Sequence, residues 1–184
     1  MKYSVTNKEV TIAADEFIDR YRDVERFLVY CRQCPGYGQS WGCPPFDFDP
    51  LTLTLGFRSV TVMGTTIEFD EETRASCRTA EQSSATGRVA MQQVLQELLP
   101  QLYERERQEP GSRLFTFRCE LCPEGCTRPD GKSCRHPELL RHSLESVGFD
   151  VMAITKDLLG FELEWSSDGS LPKRLSLVTA LFRK

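Results

Sequence analysis

Apolar residues recur along the chain with two periods, and the alternation of these periods predicts a mixed fold. Phe17, Ile18, Tyr21, Val24 and Phe27 follow helical spacing and predict a helix over residues 15–27. Residues 47–50 form a turn-like break. The β-branched positions Val60, Thr61, Val62, Thr66 and Ile67 predict a strand, interrupted at Gly64. Asp70 is placed as an N-cap, with Glu71 and Glu72 behind it at the positive end of a helix dipole. The stretch 73–87, rich in Ser, Thr and Ala, carries only a weak helical signal. From Val89 onward Val94, Leu95, Leu98, Leu99 and Leu102 make a firm apolar face, with Pro100 predicted to kink the helix and residues 109–112 to end it.

The second half is read in the same way. Residues 114–117 predict a strand that runs straight into Cys119. Residues 137–147 predict a short helix with Pro137 in its first turn, Leu140, Leu144 and Val147 inward, and Gly148 as its stop. Phe161, Leu163 and Trp165 alternate with Glu162 and Glu164, as a half-exposed strand does. Ser167 to Ser170 reads as a turn, and residues 175–182 as a final, more buried strand in a long-looped hairpin with the preceding one. The fold class predicted is α+β, a mostly antiparallel sheet covered by helices and carrying two cysteine-rich loops. The 184 residues suit a single domain over 1–184.

Composition narrows the function classes. Apolar residues make up 40%, charged residues 27% and aromatics 10%, the profile of a soluble globular chain with enough core to fold without covalent staples. The longest apolar run, Phe27 to Cys31, is five residues against the ~20 a membrane span requires. A net charge of −4 argues against nucleic acid as the main partner. Residues 1–9 lack an apolar core of the secretory type, which predicts a cytoplasmic protein. The chain has neither a P-loop nor a Gly-x-Ser-x-Gly elbow, and its two histidines offer little to a nucleophilic triad.

The outlier is cysteine, eight in all. Cys31-x2-Cys34-x8-Cys43-Pro44-Pro45 forms one group, and Cys119-x2-Cys122-x3-Cys126-x7-Cys134 the other. In a reducing compartment such groups bind metal or do redox work more often than they form disulfides, although the even count leaves disulfides as an alternative. A C-x2-C turn aims two sulfurs at one point, and further cysteines in the same loop close a cage. Cys34, Cys43 and Cys122 each precede proline, which holds them extended. Glycines at 36, 38, 42, 125 and 131 let the backbone come close to a centre, with amides able to donate to anionic sulfur.

Compact all-cysteine runs point to an iron–sulfur cluster of the 4Fe–4S type, with structural zinc as the alternative. The candidate ligands are Cys31, Cys34 and Cys43 in the first loop and Cys119, Cys122, Cys126 and Cys134 in the second. With three cysteines, the first loop is completed by Cys77, by another group, or by an open position of the kind catalytic metal sites keep. His136 is a possible substitute ligand; His142 reads as an ordinary residue of the predicted helix. Tyr30, Tyr37, Trp41, Phe46 and Phe48 read either as a dry lid over the first loop or as plain core. Arg32, Arg118, Arg128, Lys132 and Arg135 read as counter-charges or as solvated loop cations.

Three roles stay open on these residues: electron transfer or redox sensing with a redox partner protein, a zinc-knit interaction module, and an enzyme using an open metal position. The segments Cys34-Pro35-x-Tyr37-Gly38-x-x-Trp41-x-Cys43-Pro44-Pro45-Phe46, Cys119-x-Leu121-Cys122, Cys134-Arg135-x-Pro137 and Ser143-x-Glu145-x-x-Gly148-x-Asp150-Val151 together resemble an uncharacterised prokaryotic family of cysteine-rich, predicted metal-binding proteins. The resemblance implies that both loops bind metal, plausibly iron–sulfur clusters, in a cytoplasmic protein. It implies no reaction. This chain departs from the family at Phe117-Arg118, where a Gly-Pro-like lead-in is usual, and at His142, where Pro is usual. Both departures bear on the setting of the second loop, and neither touches a cysteine.

Overall fold

A computed structural model describes every residue of the chain except Glu120 and Ser167. Among the described residues four strands form one antiparallel sheet in the order β1-β2-β4-β3: β1 (Tyr3–Ala13), β2 (Ser59–Phe69), β4 (Arg174–Arg183) and β3 (Arg113–Phe115). β2 and β4 are paired in register from Ser59↔Arg183 to Glu68↔Arg174 and are buried on both faces, which explains their nearly continuous apolar and β-branched composition. β1 pairs with β2 along its whole length but carries mostly exposed polar residues. Thr11 to Thr61 (2.7 Å) and Thr65 to Asn7 (2.7 Å) side-chain bonds tie it down.

One face of the sheet packs against α1 (Ala14–Tyr21), α5 (Val151–Ile154) and the chain around Phe149. Phe182 is the hub there, meeting Phe17, Phe57, Phe115 and Phe149 at ring-centroid distances of 5.0 to 6.2 Å. The other face is covered by α4 (Ala80–Gln108), whose Ala90, Val94 and Leu102 meet Ile67, Phe69, Leu177 and Leu181. Among the described residues no helix is long and apolar enough to cross a membrane.

The α+β architecture agrees with the sequence reading, and several elements differ from it in instructive ways. The helix expected over 15–27 is two helices, α1 and α2 (Val24–Gln33), broken at Arg22 and Asp23. The break arises because this backbone pairs with residues 148–150: Asp23 N–H donates to Gly148 O and Asp150 N–H to Tyr21 O, both at 2.7 Å. Asp23 then caps α2 by accepting from Arg26 N–H at 3.0 Å. Asp70 caps α3 (Glu71–Ser76) as expected, accepting from Thr73 N–H at 2.8 Å. The weak stretch after it is fully helical from Ala80 onward, and α4 runs through Pro100 and ends before Glu109.

Gly64 does not interrupt β2. A Cβ there would lie 2.6 Å from Leu159 Cδ1 and 3.0 Å from the Phe161 ring, so glycine is what lets those side chains pack onto the strand. The helix expected over 137–147 is replaced by two 3-10 turns, Pro137–Leu139 and Glu145–Val147, with extended chain between them. There Thr116 N–H bonds His142 O at 3.0 Å and Thr116 bridges Ser143, a strand-like use of the backbone that excludes a helix. Leu144 and Val147 are nonetheless buried, and Gly148 ends the second turn.

Residues 161–165 form no strand, and β4 makes no hairpin with them; it pairs with β2 and β3 instead. Phe161 and Leu163 pack toward the first core, and the Glu164 carboxylate, rather than a neighbouring backbone, takes Arg174 N–H at 3.1 Å. Of the turn expected at 167–170, Ser167 lies outside the described residues. The rest bends with Gly169 at φ +79° and Ser170 N–H on Asp168 at 2.9 Å.

Candidate metal centre

The first cysteine group is less of a loop than its prolines suggest. Cys31 lies on the last turn of α2 and Cys34 is the C-cap, its N–H donating to Cys31 O at 3.0 Å. Tight turns follow: Tyr37 N–H bonds Cys34 O (3.0 Å), Cys43 N–H bonds Ser40 O (3.0 Å), and Gly38 N–H bonds Pro44 O (2.9 Å). The Pro44–Pro45 peptide is cis. Gly36 N–H approaches Cys34 Sγ at 3.4 Å, the backbone-to-sulfur donation that the glycines in this loop were expected to supply. Cys31 Sγ faces Glu145 O at 3.9 Å, so the last turn of α2 docks on the 145–147 turn.

The second group leaves the end of β3 and is wound by short-range bonds. Gly125 N–H returns to Cys122 O (3.0 Å), and a 3-10 turn at Arg128–Asp130 is closed by Lys132 N–H on Thr127 O (3.2 Å). The buried Thr127 hydroxyl donates to Ser133 O at 2.8 Å. The result is a cavity of about 30 Å³ whose wall includes all four cysteines of this group, Cys119, Cys122, Cys126 and Cys134. Arg135 faces Cys122 and Cys126 while pairing with Glu124 at 3.2 Å, and His136 stands on the same wall.

The two groups are one assembly. Arg128 reaches from the second loop into the first, its guanidinium donating to the carbonyls of Ser40 (2.7 Å), Cys43 and Pro45. It also stacks on the Trp41 ring at 5.1 Å, and Trp41 Nε1–H donates to Lys132 O at 3.1 Å. Trp41 thereby forms part of the wall of the second loop's cavity, rather than the lid over the first loop that the sequence suggested, and Tyr30 is exposed. Phe46 and Phe48 do something else: they stack on each other and pack edge-on against His142. Gly42 approaches protein rather than a centre, since a Cβ there would lie 2.7 Å from Arg141 O and 3.3 Å from Cys119 Cβ.

Electrostatics carry the same message. Burial pushes the Cys31 thiol up, and Cys43 and Cys34 push it further. Burial pushes the Cys43 thiol up as well, followed by Cys34, with Cys119 and Cys126 of the other loop adding to it and Arg128 opposing. Thiols crowded to this degree resist ionising together until a cation joins them. All eight cysteines are free thiols, so the disulfide alternative has no support here. Among the described residues no three His, Cys, Asp or Glu side chains stand in ready-made coordinating geometry. Cys77 sits apart, capping α3, bonded to Thr86 at 3.3 Å and packed on the α4 side of the sheet.

The sequence suggested Arg128 as a counter-charge or a solvated loop cation and Gly42 as room for a centre. That Arg128, inside the second cysteine group, bridges three carbonyls of the first loop is visible only in three dimensions. The donor set nevertheless suits a thiophilic metal, because four soft sulfur ligands share one cavity wall with cations and N–H donors beside them. No curated protein and no solved structure matches the chain. A family model described as "Predicted metal-binding protein (DUF2284)" matches residues 18–182, which include both cysteine groups and most of the sheet, and the chain belongs to that family.

Proposed function

We propose that this protein binds one or two iron–sulfur clusters of the 4Fe–4S type and serves in electron transfer or redox sensing in the cytoplasm, in exchange with a redox partner protein. Cys119, Cys122, Cys126 and Cys134 would hold one cluster; Cys31, Cys34 and Cys43 would hold a second, completed by another group. The observation that carries this reading is the single cavity walled by four cysteines, set against the first loop through Cys43. A bound cluster supplies one-electron chemistry. The chain's own part is to offset the anionic centre with Arg128 and Arg135, donate Gly36 N–H to Cys34 sulfur, and exclude water with Trp41.

A second reading, a single structural zinc, draws on the cavity's size. About 30 Å³ admits one or two water-sized bodies, and a four-iron cube needs the loops to open further. His136 on the wall would allow a mixed Cys/His set. Purification without oxygen, followed by iron, zinc and acid-labile sulfide analysis, separates the two. Iron and sulfide in matching amounts support the cluster; a colourless protein with stoichiometric zinc and no sulfide overturns it.

A further inference from the structure

β4 is ten residues long, yet its outer side is paired only near its end. β3 covers Ala180, Leu181 and Phe182, whereas β2 runs along the opposite side from Arg174 to Arg183. In an antiparallel ladder the N–H and C=O of a residue point to one side, and successive residues alternate. Lys173 O accepts from Phe69 N–H on the β2 side, so Arg174, Ser176 and Val178 turn their backbone groups outward. Glu164 takes the Arg174 N–H. The N–H and C=O of Ser176 and Val178 have no partner among the described residues.

That stretch of edge floors a groove of about 1030 Å³. Its wall is a stripe of α4 from Ala80 to Leu99, about 28 Å of helix, which matches roughly eight residues of extended chain. Met91 and Leu95 line the α4 side, and Leu163 and the 73% exposed Trp165 the other. The hydroxyls of Ser83 and Ser176 sit on this wall, buried and without a hydrogen-bond partner, and Ser83 is only 5% exposed. Buried polar atoms of this kind are rare unless something else meets them. The charged lining residues, Arg88 and Arg118 against Glu145 and Glu164, cancel, which suits an occupant without net charge. β1, the other edge, carries Lys8 and Glu9 in mid-strand, charges of the kind that guard an exposed edge.

The geometry points to this groove as a docking site for an extended, uncharged, apolar segment of another polypeptide, added as a strand to the outer edge of β4. Its main chain would pair with Ser176 and Val178, and its alternate side chains would lie against Met91 and Leu95 on one side and Leu163 on the other. The length of the groove and the unpaired main-chain groups favour an extended peptide over a compact organic molecule. None of these residues is a cysteine, so the inference stands or falls apart from the metal reading.

The test is fluorescence anisotropy on the full chain with end-blocked, fluorescein-tagged octapeptides that alternate valine, leucine or phenylalanine with threonine. Expected is saturable binding that protects the Ser176 and Val178 amides from exchange. Methylating the peptide nitrogens that face β4 should weaken it about tenfold or more, as loss of two main-chain bonds implies. S176P, which removes an outward N–H from an edge position, should weaken it about three- to tenfold with the fold retained. Equal binding of methylated and unmethylated peptides would mean apolar capture without strand pairing and overturns the inference. Absence of binding by the whole panel at ~1 mM, or a dimer of this chain that S176P abolishes, overturns it equally.

Discussion

Arg128→Ala is the most direct perturbation of the cysteine assembly. The guanidinium makes three hydrogen bonds to carbonyls of the first loop and one stacking contact with Trp41, and among the described residues no other side chain bridges the loops so extensively. Hydrogen bonds to a charged group are worth about 1.5–3 kcal/mol each, and an exposed cation–π contact about 0.5–1 kcal/mol. Arg128 is half-buried and water recovers part of this after the cut, so a net loss of about 2–4 kcal/mol in loop docking is expected. At 1.4 kcal/mol per decade the undocked population rises roughly 30- to 700-fold. The readout is labelling of Cys43 by a thiol reagent in reduced, metal-free protein, because Cys43 is partly covered when the loops are docked. Labelling should accelerate by up to that factor while the thermal midpoint moves little, since Arg128 belongs to none of the three core clusters. Arg128→Lys should recover only part of the protection, for an ammonium cannot fork across three carbonyls. Unchanged labelling in R128A, or full recovery in R128K, would refute the assignment of Arg128 as the clasp.

Three other substitutions probe the surroundings. Gly42→Ala drives a Cβ to 2.7 Å from the Arg141 carbonyl; an overpacking cost of about 1–3 kcal/mol should part the loops and reproduce the R128A labelling pattern. Cys77→Ala should leave metal content per chain unchanged, because this thiol packs beside α4 away from both loops; a fall in bound metal would place it among the ligands. His142 is held neutral, at about 4 against an ordinary 6.5, by burial and then by Arg113 and Arg141. The unfolded chain takes up a proton below pH 6.5 and the folded chain does not, so this contribution is complete above 6.5. It falls by up to about 3 kcal/mol as pH drops toward 4. His142→Leu should flatten that span of the urea midpoint plotted against pH.

Where one period dominated, the sequence specified the element. β4 and the second half of α4 follow from runs such as Leu175 to Phe182 and Val94 to Leu102, and the Asp70 cap from a single side chain. β1 escaped because an edge strand held by Thr and Asn cross-links needs little apolar alternation. The break between α1 and α2 escaped because its cause, pairing of residues 21–23 with 148–150, lies about 125 residues away. Residues 161–165 misled for the opposite reason. Their alternation is real, but Phe161 is drawn onto Gly64 and Glu164 caps the edge of β4, so the backbone never joins the ladder.

The cysteine spacing made the candidate centre legible, yet spacing alone could not say that the two groups meet. Their meeting is a consequence of the sheet. β3 sits beside β4 at Ala180 to Phe182 and hands the chain to Cys119, while Thr116 fixes the strand-like course of residues 142–143 that leads into the 145–147 turn. That turn is the platform on which α2 ends, bringing Cys31 against Glu145. Both cysteine groups therefore hang from the same corner of the fold, one by a helix end and one by a strand end. The backbone bonds within each segment are short-range turns, so the tie between the two loops falls to side chains. Arg128 donates to the Cys43 and Pro45 carbonyls and adds a second donor to Ser40, whose carbonyl already takes Cys43 N–H, so the second loop braces the first. Binding that rigidifies one loop thereby lowers the ordering cost of the other, so metal uptake at the four-cysteine group should strengthen uptake at the three-cysteine group, and R128A should uncouple the two.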